Sequence, residues 1–134
     1  MPEKYVHHIC IQTNTYIETV KFYTEALGFE LVQESPNFHE RQFNTWLKLG
    51  FFYIELQTGK QNKVLGKNNS NNEGIVHLCL WVENLEQEVE RLKEKNISFI
   101  CKNGEIIYQV ENGHLCKLTA PEGTIVELRD NEGI

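Results

Sequence analysis

The chain opens on a run that alternates in character. Residues 5–12 (YVHHICIQ) are rich in aromatic and β-branched side chains and predict a strand. Thr15 and Glu18 follow three positions apart, a capping-box pattern that predicts a helix start. Tyr16, Val20, Tyr23 and Leu27 would form its apolar stripe, and Gly28 its stop. Strands are predicted over 29–34, 44–49 and 51–57. From Gly74 the pattern returns: a strand over 75–82 (IVHLCLWV), a capping box at Asn84 and Gln87, and a charged helix ending near Asn96. Leu85, Val89 and Leu92 are that helix's apolar stripe. Strands are then predicted over 97–102, 106–110, 114–118 and 124–129. Superposing His8 on His77 also pairs Ile9 with Leu78, Cys10 with Cys79, Ile11 with Leu80 and Val20 with Val89. The halves therefore read as one repeated unit. The expected fold is α+β, two βαβββ modules in a single domain over 1–134. Module one covers about 4–58 and module two about 74–130. The connector, about 59–73, holds Gly59, Gly66 and four Asn between 68 and 72, so it can bury little and is expected to be mobile, a lip over a site.

Side chains at i and i+2 share a face of a strand. In 75–82 one face carries Val76, Leu78, Leu80 and Val82, and the other Ile75, His77, Cys79 and Trp81. The first strand sets Ile9 and Ile11 against His8, Cys10 and Gln12. Phe52, Ile54 and Leu56 oppose Tyr53, Glu55 and Gln57, and Val126 and Leu128 oppose Ile125, Glu127 and Arg129. Each time an ionisable group lies away from the aliphatic face. A carboxylate turned toward an apolar interior is costly unless it is paired or holds a cation. His8, Glu55, His77 and Glu127 are thus candidates for one shared cation site. For any one of them taken alone, a hydrogen-bonded strand histidine or a solvent-facing glutamate is the plainer explanation, and it is the common facial rule that weakens it. His7 is expected to point to the opposite face, while His39 and His114 read as surface or loop residues. Cys10 and Cys79 read as small buried hydrophobes beside each histidine. Trp81, Tyr53 and Phe51 are candidate pocket walls.

Charge and composition narrow the partners. With 13 Lys plus Arg against 19 Asp plus Glu, the net charge is −6, and no basic stripe stands out. Nucleic acid and anionic membranes are therefore poor partners. No apolar run approaches the roughly 18–20 residues that span a bilayer. The four cysteines, Cys10, Cys79, Cys101 and Cys116, form no close pair and no signal-peptide pattern precedes them, which reads as reduced and cytoplasmic. No phosphate-binding, dinucleotide or nucleophile-elbow motif is present.

Taken together, His8-Ile-Cys-Ile, the FYTEALGF run at 22–29, Tyr53-Ile-Glu-Leu, His77-Leu-Cys-Leu and the PEGTIVEL run at 121–128 resemble the vicinal oxygen chelate superfamily. That family includes glyoxalase I, methylmalonyl-CoA epimerase, extradiol dioxygenases and the fosfomycin and bleomycin resistance proteins. The resemblance covers residues 5–130 and implies paired modules curling into a cupped, incomplete barrel around a divalent metal. Its ligand positions fall on His8, Glu55, His77 and Glu127, a set similar to that of glyoxalase I. Dioxygenases use only the three positions matching His8, His77 and Glu127, and bleomycin-binding members lack the set. Ala120 stands where the family commonly has Asp, and the basic residues that contact glutathione in glyoxalase I have no match. The resemblance therefore implies a metal-dependent lyase or isomerase that moves a proton next to a carbonyl of a small substrate, with Glu127 and Glu55 as catalytic carboxylates. The expected ion is Ni, Zn, Co or Mn, and Fe less so because Glu55 would occupy a position that oxygen chemistry leaves open. A thiol cofactor stays open, and a homodimer is expected. The alternatives are a small-molecule or antibiotic binding and resistance protein, and an Fe(II) dioxygenase.

Overall fold

Alternating strand residues and two short amphipathic helices organise the chain. The computed structural model describes residues 3–134, and the chain divides into two units between Lys67 and Asn68. The first contains β1 (His8–Thr13), α1 (Tyr16–Lys21), a π-helical turn (Phe22–Ala26), β2 (Glu30–Phe38), β3 (Arg41–Leu49) and β4 (Phe52–Thr58). Its four strands run in the order β1-β4-β3-β2, with β1 and β4 parallel and the other neighbours antiparallel. The second contains β5 (His77–Trp81), α2 (Leu85–Lys93), β6 (Ser98–Ile100), β7 (Tyr108–Val110), β8 (Gly113–Thr119) and β9 (Ile125–Arg129). Its order is β5-β9-β8-β6, with β7 also on β8 and β5 parallel to β9. The fold is α+β and neither sheet closes on itself. The repeat read from the sequence holds at the level of topology, because β1, β2, β3 and β4 correspond to β5, β6, β8 and β9.

Each unit has its own core. Tyr23, Leu47, Ile54 and Leu56 are buried in the first, and Leu85, Leu92, Leu118, Val126 and Leu128 in the second. The predicted stripe of α2 is thus the one that packs. Asn84 caps this helix, its side-chain oxygen accepting from Gln87 N at 3.0 Å, and Asp130 Oδ2 accepts from Leu85 N at 3.0 Å.

The first helix departs from expectation. Thr19, Phe22, Tyr23, Ala26 and Leu27 are buried, whereas Tyr16 and Val20 are only half-buried. The wide π turn lets the adjacent rings of Phe22 and Tyr23 both enter the core, edge to face at 5.1 Å. Thr15 makes no side-chain cap; instead Thr13 Oγ1 accepts from Thr15 N at 2.9 Å, and Thr19 Oγ1 donates to Thr15 O at 2.7 Å. Gly28 does end the segment, with φ of +81° and Phe29 N donating to Tyr23 O at 2.9 Å. The second strand is longer than predicted because it runs through Ser35-Pro36-Asn37. It lies at the sheet edge, where a proline's missing N–H is tolerated, and the turn falls at His39 and Glu40, both with positive φ.

The connector also differs. Asn14 grips Leu65 from both sides, accepting from its N–H at 2.8 Å and donating to its carbonyl at 3.1 Å. Beyond the unit boundary, Asn68 Nδ2 donates to Gly123 O at 3.2 Å. Side-chain amides tie these stretches down although they bury little. The final turn closes through its backbone at Ala120: Ala120 N donates to Thr124 O and Gly123 N to Ala120 O, each at 2.9 Å. Among the described residues no helix is long and apolar enough to cross a membrane.

Candidate functional site

Parallel pairing of first and last strand fixes the same constellation in both units. Cys10 pairs with Glu55 and His8 with Tyr53; Cys79 pairs with Glu127 and His77 with Ile125. Paired residues share a sheet face, so each histidine stands diagonally, two positions off register, from a glutamate on the neighbouring strand. The result is nearly identical spacing. His8 Nε2 lies 3.7 Å from Glu55 Oε1, and His77 Nε2 lies 3.6 Å from Glu127 Oε1.

These separations are too long for hydrogen bonds. Two donors each about 2.1 Å from one divalent ion stand at most about 4.2 Å apart, so either pair fits a common cation. Both histidines are exposed, Glu55 is half-buried and Glu127 is only 7% exposed. A buried carboxylate needs compensation by a cation or by donors. Among the described residues no group of three or more His, Cys, Asp or Glu side chains could hold an ion, so each unit offers two donors.

The thiols belong to the same faces. Partial burial, then the Glu55 charge, raises Cys10 above the ordinary thiol value. Burial and a hydrogen bond to Glu127 push Cys79 up to about 12. Both are protonated at neutral pH, but both are exposed on their strands and are not the buried hydrophobes expected, because the faces that carry them are uncovered within each unit. All four cysteines are free. Tyr108 on β7 is also raised, by burial first and then by the charge of Glu127.

His7 does not behave as expected. It precedes β1, so strand alternation does not govern it, and its ring comes round beside His8. His7 Nδ1 and His8 Nδ1 are 2.9 Å apart, and the His7 ring stacks on Tyr53 with centroids 5.1 Å apart. Trp46 closes against His8 at 4.9 Å. A hydrogen bond at Nδ1 selects which nitrogen of His8 is free to bind a cation. The signal available in the sequence was the His-His pair itself. Phe51 lies in the turn before β4 and is 93% exposed, so it walls nothing within its unit. Trp81 is exposed on the β5 face, donating from Nε1 to Asp130 O at 3.0 Å. His39 and His114 are exposed, as read.

Comparison with known proteins identifies the family and the fold. Residues 7–115 match the Glyoxalase/Bleomycin resistance protein/Dioxygenase superfamily. The uncharacterized protein YwkD of Bacillus subtilis is 28% identical over 94 residues, 70% of this chain and 73% of that protein. The fold superposes on a glyoxalase family protein from Enterococcus faecalis with a TM-score of 0.80, 26% identity and coverage of 96% and 98% of the two chains. A trypanothione-dependent glyoxalase I from Leishmania major gives 0.73 at 19% identity, covering 96% and 87%. The antibiotic-binding protein TnmS3 from Streptomyces sp. CB03234 gives 0.68 at 16% identity, covering 98% and 99%.

Proposed function

Because the chain belongs to the Glyoxalase/Bleomycin resistance protein/Dioxygenase superfamily, we propose that it is a metal-dependent lyase or isomerase of the glyoxalase type. In this reading the two modules act as one domain, and His8, Glu55, His77 and Glu127 form the ligand set for one divalent ion. The observation that carries it is the repeated His–Glu separation, 3.7 and 3.6 Å at equivalent register. Two imidazole nitrogens and two carboxylates favour Ni, Zn, Co or Mn. Such an ion, when bound, supplies Lewis acidity toward substrate oxygens.

The chain's own residues do the rest. Glu127 is the principal base, the more buried of the two carboxylates and so the better shielded from bulk water. Glu55, more open to solvent, is the second carboxylate and can return the proton. The protonated thiol of Cys79 faces Glu127 and orients it without competing as a nucleophile. The substrate is a small molecule with a carbonyl beside an exchangeable C–H. Four free thiols suit a reducing cytoplasm, and we take the working assembly to be a homodimer.

The test combines metal analysis of the purified protein with exchange of 2-oxo or 2-hydroxycarbonyl substrates in D₂O. One equivalent of Ni, Co, Zn or Mn with solvent exchange is the expected result. Glu127→Gln should keep much of the metal and lose exchange by roughly 10²- to 10⁴-fold. Exchange at the parent rate in metal-loaded Glu127→Gln would reduce Glu127 to a ligand. A second reading, binding without turnover, draws on the likeness to the antibiotic-binding fold. Absence of exchange together with tight binding of an intact small molecule would favour it. Iron with oxygen uptake would favour dioxygenase chemistry.

A further inference from the structure

The two candidate faces are equivalent in topology but not in charge. Across β3–β4, Trp46 is the register partner of Glu55, and Gln57 lies two positions beyond Glu55 on β4. At the same two places in the second unit stand Lys117, the register partner of Glu127 across β8–β9, and Arg129, two positions beyond Glu127 on β9. An aromatic ring and an amide in one unit are thus two cations in the other. Both cations are half-buried.

Neither cation has a carboxylate partner among the described residues. Arg129 Nε is buried with no hydrogen-bond acceptor. The neighbouring Asp130 is turned to α2, where its carboxylate accepts from Leu85 N at 3.0 Å. In the first unit, by contrast, Arg41 is satisfied by Gln12 Oε1 at 2.9 Å and Thr58 O at 2.7 Å, and Gln57 by Asn44 at 2.8 Å. Lys117 stands across from Glu127 without forming an ion pair with it, so the cost of half-burying the two cations is met only in part and is recovered when an anion bonds to them directly. An Arg fork and a Lys point charge on one face are suited to a carboxylate or a phosphate.

We propose that Lys117 and Arg129 form an anion-binding subsite on the β5–β9–β8 face, so that the substrate is a small anion whose carboxylate or phosphate group is held by the second module. The inference rests on the reading of that face as the substrate site, yet its test does not need the metal. Binding of pyruvate, of its neutral amide and of inorganic phosphate would be followed by chemical-shift titration at low salt. Each titration would be run with EDTA and again with Ni²⁺.

Pyruvate should bind at least roughly ten-fold tighter than the amide, with shifts on β8 and β9. Lys117→Met and Arg129→Gln should each erase most of that preference, and Lys48→Met in the first unit should leave it intact. Lys117→Met keeps the test readable if Arg129→Gln does not fold. Phosphate displacing pyruvate with equal affinity would identify a phosphate-bearing substrate. An unchanged preference in folded Lys117→Met, or an equal loss in Lys48→Met, overturns the proposal. A preference that persists in EDTA and vanishes in Lys117→Met upholds it even if the protein takes up no metal.

Discussion

Cys79 should be a slow thiol in spite of its exposed position on β5. Loss of water around the sulfur and the Glu127 carboxylate lift it from the ordinary 9.0 to about 12. Below pH 9 this lowers the thiolate fraction about a thousand-fold. A more basic thiolate is the better nucleophile, and a Brønsted coefficient of about 0.4–0.5 returns roughly 15- to 30-fold. Exchange with an aromatic disulfide should then run about 30- to 60-fold slower than for an ordinary cysteine. The assay uses a chain in which Cys10, Cys101 and Cys116 are replaced by Ala, with the fold checked by circular dichroism. The rate should climb about ten-fold per pH unit through pH 10 without levelling, because the neutral thiol is the stable form until the pH nears the raised value. Glu127→Gln removes the negative charge and one acceptor, and should accelerate the reaction. A plateau near pH 9, or no acceleration in Glu127→Gln, would refute the placement of the thiol against the carboxylate, and with it the burial of Glu127's charge on that face.

Replacing His77 by Ala removes a donor and should weaken Ni²⁺ or Zn²⁺ binding far more than His7→Ala, for which a loss of about 10- to 100-fold is expected from the lost support of His8. Calorimetry giving equal losses would contradict the assignment of His77 as a ligand and of His7 as a support for His8. Leu92→Ala, at a fully buried position of α2, should cost about 2–5 kcal/mol in urea unfolding, and Asn84→Ala about 1 kcal/mol. Metal titration of a mixture of His8→Ala and Glu127→Ala chains tests the assembly. Recovered binding indicates sites shared between copies, and none indicates that each chain completes its own.

What the sequence made legible was periodic. Two-residue alternation put Glu55 and Glu127 on the faces opposite Ile54 and Val126, and the Asn84–Gln87 cap marked the start of α2. Features without a period were harder to read. His7 lies one residue outside β1, where alternation has no authority. The π turn depends on Phe22 and Tyr23 being adjacent, a pair that a 3.6-residue stripe would split between faces. Pro36 lies within β2, where the edge position tolerates its missing N–H. The amides of Asn14 and Asn68 follow no period either, and only their backbone partners reveal them as clamps. The cationic pair was in view as Lys117 and Arg129, but its meaning depends on the β8–β9 register and on neither cation being held in an ion pair.

The parallel pairings β1–β4 and β5–β9 also have a consequence for how the chain becomes ordered. In each unit the histidine comes from the first strand and the glutamate from the last, so the pair exists only after the longest loop of the unit has closed. The antiparallel neighbours β2–β3 and β8–β9 can form from local contacts, whereas first-to-last pairing carries the larger entropic barrier and should form late. A cation held by either pair would bind the completed unit and not its open precursor. At a hundred-fold excess over its dissociation constant it would add about 2.7 kcal/mol to closure. Metal supply would then govern how long each module stays shut against proteolysis, as well as what it can bind.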